Sequence, residues 1–270
     1  MSAPSAGEPA LLVERDGPVL VLTMNRPERR NALNLEMIAL LAEAWAEIDA
    51  DDSIRVAVLT GAGDSYCVGG DLSDGWMVKR AADAMPAAPR VDRSVIGKGL
   101  LLTHSLSKPL IAAVNGACLG GGCEMLQQTD IRVAEEQATF GLPEVQRGLV
   151  PGAGSMVRLK RQIPYTKAME MILTGDPLTA AEAYHFGLVG HVVPTGEAMS
   201  KARSLAERVA SNAPLSVRNA KAALVQTGWL PEHEARVIEA RLTAEVIASS
   251  DAREGLAAFT EKRPPRFTGS

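Results

Sequence analysis

Three cysteines in 270 residues, no apolar run of membrane-spanning length and no excess of basic charge are the first absences in this chain. Cys67, Cys118 and Cys123 are an odd set without a nearby His, so neither a disulfide framework nor metal-ligand spacing can be read from them. They read as small core residues in a reducing compartment. With 28 Lys and Arg against 32 Asp and Glu, the formal net charge of −4 gives no basic footprint for nucleic acid. The N-terminus, from Met1 to Pro9, has no basic start followed by an apolar block. The expectation is a cytoplasmic protein with no membrane partner and residues 1–9 disordered.

Two common motif classes are missing as well. Gly61-Ala62-Gly63 follows a strand-like run, but Tyr66 stands where a dinucleotide fingerprint needs its third glycine, and no Gly-Lys-Ser or Gly-Lys-Thr occurs. Ser65, Ser155 and the thiols sit in no Gly-x-Ser-x-Gly elbow; Gly152-Ala153-Gly154-Ser155-Met156 is the nearest miss. His104, His185, His191 and His233 read as surface or partly buried structural residues.

What is present is a chain 46% apolar, long enough for a full core. Leu11–Arg15 and Pro18–Met24 flank Asp16-Gly17, which predicts an opening β-hairpin. From Asn34, a candidate N-cap, Ile38, Leu41, Trp45 and Ile48 recur at helical spacing up to about Asp51. Ile54–Thr60 and Leu110–Val114 are short strand-like runs, so strands alternate with helices and an α/β core follows. Beyond about Pro194 only helical patterns remain, at 197–210, 215–226, 232–248 and 252–262. The expected division is a disordered 1–9, an α/β core over 10–194 and a helical region over 195–270 suited to self-association. Residues 73–93 have no clean period and two prolines, the profile of a lid or substrate wall.

The chemistry concentrates around Glu124 and Glu144. Glu124 follows Gly120-Gly121-Gly122-Cys123 and sits in the first turn of a predicted helix. The helix macrodipole alone favours a Glu there. Three successive glycines, however, each cost about 1 kcal/mol in a regular element relative to Ala, and they mark a backbone that approaches a ligand or adopts positive φ. Cys67-Val68-Gly69-Gly70-Asp71-Leu72 is a second such turn, readable also as a plain loop with Asp71 as an N-cap. Two glycine turns suit N–H donation to one developing oxyanion, and two carboxylates suit proton transfer beside it.

These segments resemble the enoyl-CoA hydratase/isomerase (crotonase) family over nearly the whole length. The resemblance rests on Asn25-Arg26-Pro27 with Asn31-Ala32-Leu33, Val68–Leu72, Ile111–Gly116, Leu119–Glu124, Phe140–Glu144, Pro151–Gly154, Leu173–Gly175, Ala183–Val189 and Phe259–Arg263. It implies a crotonase-like spiral of β-β-α turns with a helical C-terminal region, assembled as a homotrimer or a homohexamer built from two trimers. It implies oxyanion donors at the N–H groups of Gly70 and Gly121, and an acyl-CoA thioester lying along Ala32, Cys67, Val68, Asp71 and Leu72. Lys262 matches a lysine that reaches the CoA phosphates from a neighbouring subunit. Hydratases carry both acids, so the resemblance favours hydration of a trans-2-enoyl-CoA, with Glu144 as the C2 acid and Glu124 orienting water. No metal or redox cofactor is implied, coenzyme A being part of the substrate. Ser73 replaces a Lys common in short-chain hydratases, and Trp76 and Met77 stand where an acyl-pocket wall is expected, although Trp76 equally suits a core or interface.

Overall fold

The computed structural model describes residues 8–73 and 92–270, so Trp76 and Met77 lie outside the described residues. The hairpin forms as expected, β1 (Leu11–Asp16) antiparallel to β2 (Val19–Met24), and Asn34 caps helix α1 (Leu35–Ala50) by accepting the Met37 N–H at 2.9 Å. Three further units then repeat one plan. Each sends a strand into a first sheet, a shorter strand into a second, and then a helix or helical turn.

The units are β3 (Val56–Gly61), β4 (Ser65–Cys67) and α2 (Arg93–Gly99); β5 (Leu110–Val114), β6 (Ala117–Leu119) and α3 (Gly121–Leu126); and β7 (Ile131–Glu135), β8 (Thr139–Gly141) and the 3₁₀ turn Pro143–Arg147 leading to α4 (Ser155–Gln162). The larger sheet runs β1-β2-β3-β5-β7-β10, parallel from β2 onward, with β10 at His191–Val193; the smaller runs β4-β6-β8-β9, with β9 at Leu178–Thr179. This is the spiral of β-β-α turns. Helices α5 (Tyr165–Thr174) and α6 (Ala180–His185) complete the core.

Strands buried on both faces need apolar residues at every position, and β3 is buried throughout. Alternation sends successive residues into two cores. Leu20, Leu22, Ala57, Leu59, Leu110 and Ala112 pack with Ile38, Leu41 and Trp45 of α1. Val21, Val58, Ile111, Ala113 and Val133 face helix α7 (Ala198–Ala210), whose Ala198, Ala202, Ala206 and Ala210 recur every fourth residue and are buried in that second core.

The three-residue strands of the second sheet escape a period-2 reading because they are shorter than one detectable repeat. Helix α2 was equally hidden. Its Gly97 and Gly99 count against a helix, yet a Cβ on Gly99 would overlap the Ile38 carbonyl, and Trp45 Nε1 donates to the Gly99 carbonyl at 3.0 Å. Close approach to α1 requires the glycine.

The C-terminal helices α8 (Pro214–Thr227), α9 (Glu232–Ile247) and α10 (Ser250–Glu261) match the sequence reading within three residues at every end. They are sparsely buried in the single chain. Leu224, Val237, Ile247, Leu256 and Phe259 are 69–85% exposed, large apolar side chains that the described residues leave uncovered. No helix among the described residues is long and apolar enough to cross a membrane.

Candidate active site

The two glycine turns, fifty residues apart in sequence, come together because β4 and β6, which precede them, are adjacent parallel strands. Gly69 has φ +92°, and a Cβ there would stand 3.0 Å from the Gly121 nitrogen. A Cβ on Gly121 would in turn lie 3.8 Å from the Gly70 nitrogen, so the two amides are neighbours. Neither N–H donates a hydrogen bond among the described residues. Gly120 turns the chain at φ 52°, ψ −129°, a conformation reserved for glycine, and thereby starts α3.

One wall of this turn pair is fixed by the segment after β2. Leu33 N–H donates to Gly69 O, and the Leu33 carbonyl accepts Asp71 N–H, a single bridge that does not use the Gly70 amide. Arg26 braces it, bonding Ala32 O at 2.5 Å and Asp71 Oδ2 at 2.9 Å. The Ser73 hydroxyl, first, and then Arg26 hold the Asp71 carboxyl down to about 2. Asn31 anchors the same loop by donating to Ala62 O and Ser65 O while accepting Arg26 N–H.

Glu124 lies 3% exposed in the first turn of α3. Its Oε1 accepts two backbone N–H groups, Ala153 at 2.7 Å and Ser155 at 3.2 Å. Burial nevertheless dominates, with a smaller contribution from Glu144, and lifts the carboxyl from 4.5 to about 7. Glu144 opens the 3₁₀ turn after β8, and its Oε1 is 3.4 Å from where a Cβ on Gly120 would stand. Its Oε2 is buried without a hydrogen-bond partner among the described residues, and burial raises this carboxyl too. Two carboxyls with raised pKa values thus stand near two adjacent amides that donate no hydrogen bond among the described residues, an arrangement that suits proton transfer beside an oxyanion.

Of the residues singled out in sequence, Glu124, Glu144, Gly70 and Gly121 are brought together, with Ala32 and Val68 beside them. Cys67 can offer a ligand only its backbone, since its side chain is fully buried against Gly122. Asp71 is committed to Arg26 and Ser73, whereas Leu72 is 54% exposed. Lys262 is an exposed residue at the end of α10, and its ammonium makes no ion pair or hydrogen bond among the described residues. Ala153, Ser155 and Arg158, which surround Glu124, carry no role in the sequence reading. Their signals in sequence are the Pro151–Gly154 motif of the resemblance and the near-miss elbow at Ser155, neither of which points to Glu124. Among the described residues no group of His, Cys, Asp and Glu has a metal-site arrangement.

A model of the enoyl-CoA hydratase/isomerase family matches residues 14–270. The enoyl-CoA hydratase EchA19 of Mycobacterium tuberculosis is 46% identical over 263 residues, covering 96% of each chain. The 2,3-dehydroadipyl-CoA hydratase of Escherichia coli is 38% identical over 259 residues, covering 96% of this chain and 98% of its own. Among solved structures, a Mycobacterium abscessus protein of the enoyl-CoA hydratase/isomerase group superposes with TM-score 0.89 at 70% identity, over 97% of this chain and 100% of that one. An enoyl-CoA hydratase from Mycobacterium tuberculosis does so with TM-score 0.87 at 39% identity, over the same shares. Sequence along nearly the full length and the spiral fold agree, and the chain belongs to the enoyl-CoA hydratase/isomerase family.

Proposed function

We propose that this protein is an enoyl-CoA hydratase that adds water across the C2=C3 bond of a trans-2-enoyl-CoA to give a 3-hydroxyacyl-CoA. The observation that carries the reading is the pair of raised-pKa carboxylates, the buried Glu124 and the half-buried Glu144, beside the Gly70 and Gly121 amides, which donate no hydrogen bond among the described residues. An isomerase needs only one such acid to carry a proton between C2 and C4. Hydration needs one group to hold water and another to deliver a proton.

The thioester oxygen accepts the Gly70 and Gly121 N–H groups. Glu124, tethered through Oε1 and ionised, orients a water whose oxygen bonds to C3 as its proton passes to the Glu124 carboxylate. The C2=C3 electron pair moves onto the thioester as an enolate, held by the two amides. Glu144 protonates C2 and the thioester re-forms. One oxyanion donor contributes about 3 kcal/mol to such a step, and a positioned acid or base about 10²–10⁴ in rate. No metal or redox group enters the scheme.

The CoA moiety lies along Ala32 and the backbone of Cys67–Leu72. The exposed apolar face of the C-terminal helices supports assembly into trimers, or pairs of trimers, in which Lys262 of one subunit reaches the CoA phosphates of the next. The test is the loss of conjugated-thioester absorbance with crotonyl-CoA and with a bulky 2-enoyl-CoA, alongside Glu144→Gln. Loss that needs Glu144 is expected. No loss with either ester despite CoA-ester binding would overturn the hydratase reading in favour of an isomerase or a non-catalytic acyl-CoA-binding module.

A further inference from the structure

Two features around Glu124 run against local preference. Arg158 is a cation in the opening turns of α4, where the helix macrodipole favours anions. Leu101 is a non-glycine residue at φ 52°, a backbone state that a β-carbon resists. They meet. Arg158 Nη2 donates to Leu101 O at 3.4 Å, and that carbonyl also accepts Gln128 Nε2 at 2.6 Å.

The other end of the guanidinium, Nη1, donates to Ala153 O at 3.1 Å. It lies directly over Gly154, where φ is +113° and a Cβ would overlap Nη1. The residues on either side of Gly154 are the ones whose amides hold Glu124 Oε1. One short stretch of backbone therefore faces Arg158 with a carbonyl and Glu124 with two N–H groups. Backbone held in a sparsely populated state, as at Leu101, clusters at active sites and ligand clamps.

We propose that Arg158 is a positioning residue for Glu124: it clamps the Ala153–Ser155 turn between Leu101 and α4, so that the two amides fix Glu124 Oε1 and leave Oε2 for water. This rests on the hydratase reading. The charged groups acting on Glu124 are Glu144, from the Pro143–Arg147 turn, and Arg158; Arg147 acts in turn on Glu144. Arg158 opposes the burial that raises Glu124, so its removal moves the Glu124 titration to higher pH.

The experiment compares wild type, Arg158→Gln and Arg158→Lys by kcat and KM for crotonyl-CoA against pH, with unfolding followed in parallel. Arg158→Gln is expected to lower kcat by about ten- to a hundredfold, the cost of slight misplacement of a reacting group, with KM within about twofold. The rate-increasing limb assigned to Glu124 ionisation should shift upward in pH. Arg158→Lys, which keeps the charge but cannot span two carbonyls, should restore the position of the limb and only part of kcat.

An unmoved limb, or a kcat loss that merely follows lost folding, overturns the proposal. Should wild type hydrate no 2-enoyl-CoA, the hydratase reading fails separately. The Glu124 carboxyl, followed by isotope-edited infrared difference against Glu124→Gln, still decides Arg158, because its titration must move in Arg158→Gln and stay in Arg158→Lys.

Discussion

Replacing Glu124 by Gln should make the protein more stable at alkaline pH while removing its activity. In the folded chain burial lifts this carboxyl from 4.5 to about 7, so the folded state holds the proton more tightly than the unfolded one. Such a group contributes stability that is fully present below about 4.5 and is lost as pH rises through 7. At about 1.4 kcal/mol per pH unit, the loss approaches roughly 3 kcal/mol once the carboxyl is ionised in both states. Gln keeps an Oε1 for the Ala153 and Ser155 amides but never ionises. The assay is urea unfolding of both proteins at fixed concentration between about pH 5 and pH 9, because any subunit association makes apparent stability concentration-dependent. Relative to pH 5, Glu124→Gln should gain about 1–3 kcal/mol over wild type by pH 9, while its kcat falls by about 10²–10⁴. A stability difference that does not change with pH would refute the argument, because the raised carboxyl would then cost the fold nothing.

Other expected outcomes follow from the same geometry. Gly69→Ala introduces a Cβ at φ +92° against the Gly121 nitrogen, so it should lose at least about 1–2 kcal/mol in urea unfolding and more than about tenfold in kcat. Wild-type turnover in that variant would show that the contact between the turns is dispensable. Asp71, held down to about 2 by Ser73 and Arg26, gives stability that is present above its ordinary value of 3.8 and lost as pH falls through 2. Asp71→Asn should therefore cost about 1–3 kcal/mol at neutral pH, a deficit that shrinks below about pH 4, read by unfolding across that range. Cys67 is fully buried, with its thiol pushed up to about 12, and Cys118 and Cys123 are buried with it. A thiol-exchange reagent at mildly alkaline pH should label none of the three until denaturant is added; one fast-reacting thiol in the folded protein would contradict their placement.

Which parts of this molecule were legible in advance depended on the range of the interactions involved. The hairpin at Asp16-Gly17, the Asn34 cap and the helices after Ala198 reflect preferences acting over a few residues, and they stand where local pattern put them. The glycine runs declared that backbone had to come close to something. They did not say to what. The β4, β6 and β8 strands were too short to show a period, and the glycines of α2 concealed a helix whose tight packing depends on them.

By itself, then, the sequence determined the alternation of strands with helices, the apolar residues for two cores, the family resemblance, and a carboxylate at the opening of a helix after three glycines. Only the tertiary structure decided that the Gly70 and Gly121 amides are neighbours without a hydrogen-bond acceptor among the described residues, that Ala153 and Ser155 seize one oxygen of Glu124, and that Arg158 closes over Gly154. The first set arises from periodicity and turn chemistry within one element. The second depends on tertiary contacts: parallel pairing of short strands joins the Gly70 and Gly121 turns, chain packing brings Ala153 and Ser155 to Glu124 across about 30 positions, and the raised pKa of Glu124 follows from burial, which no local pattern encodes.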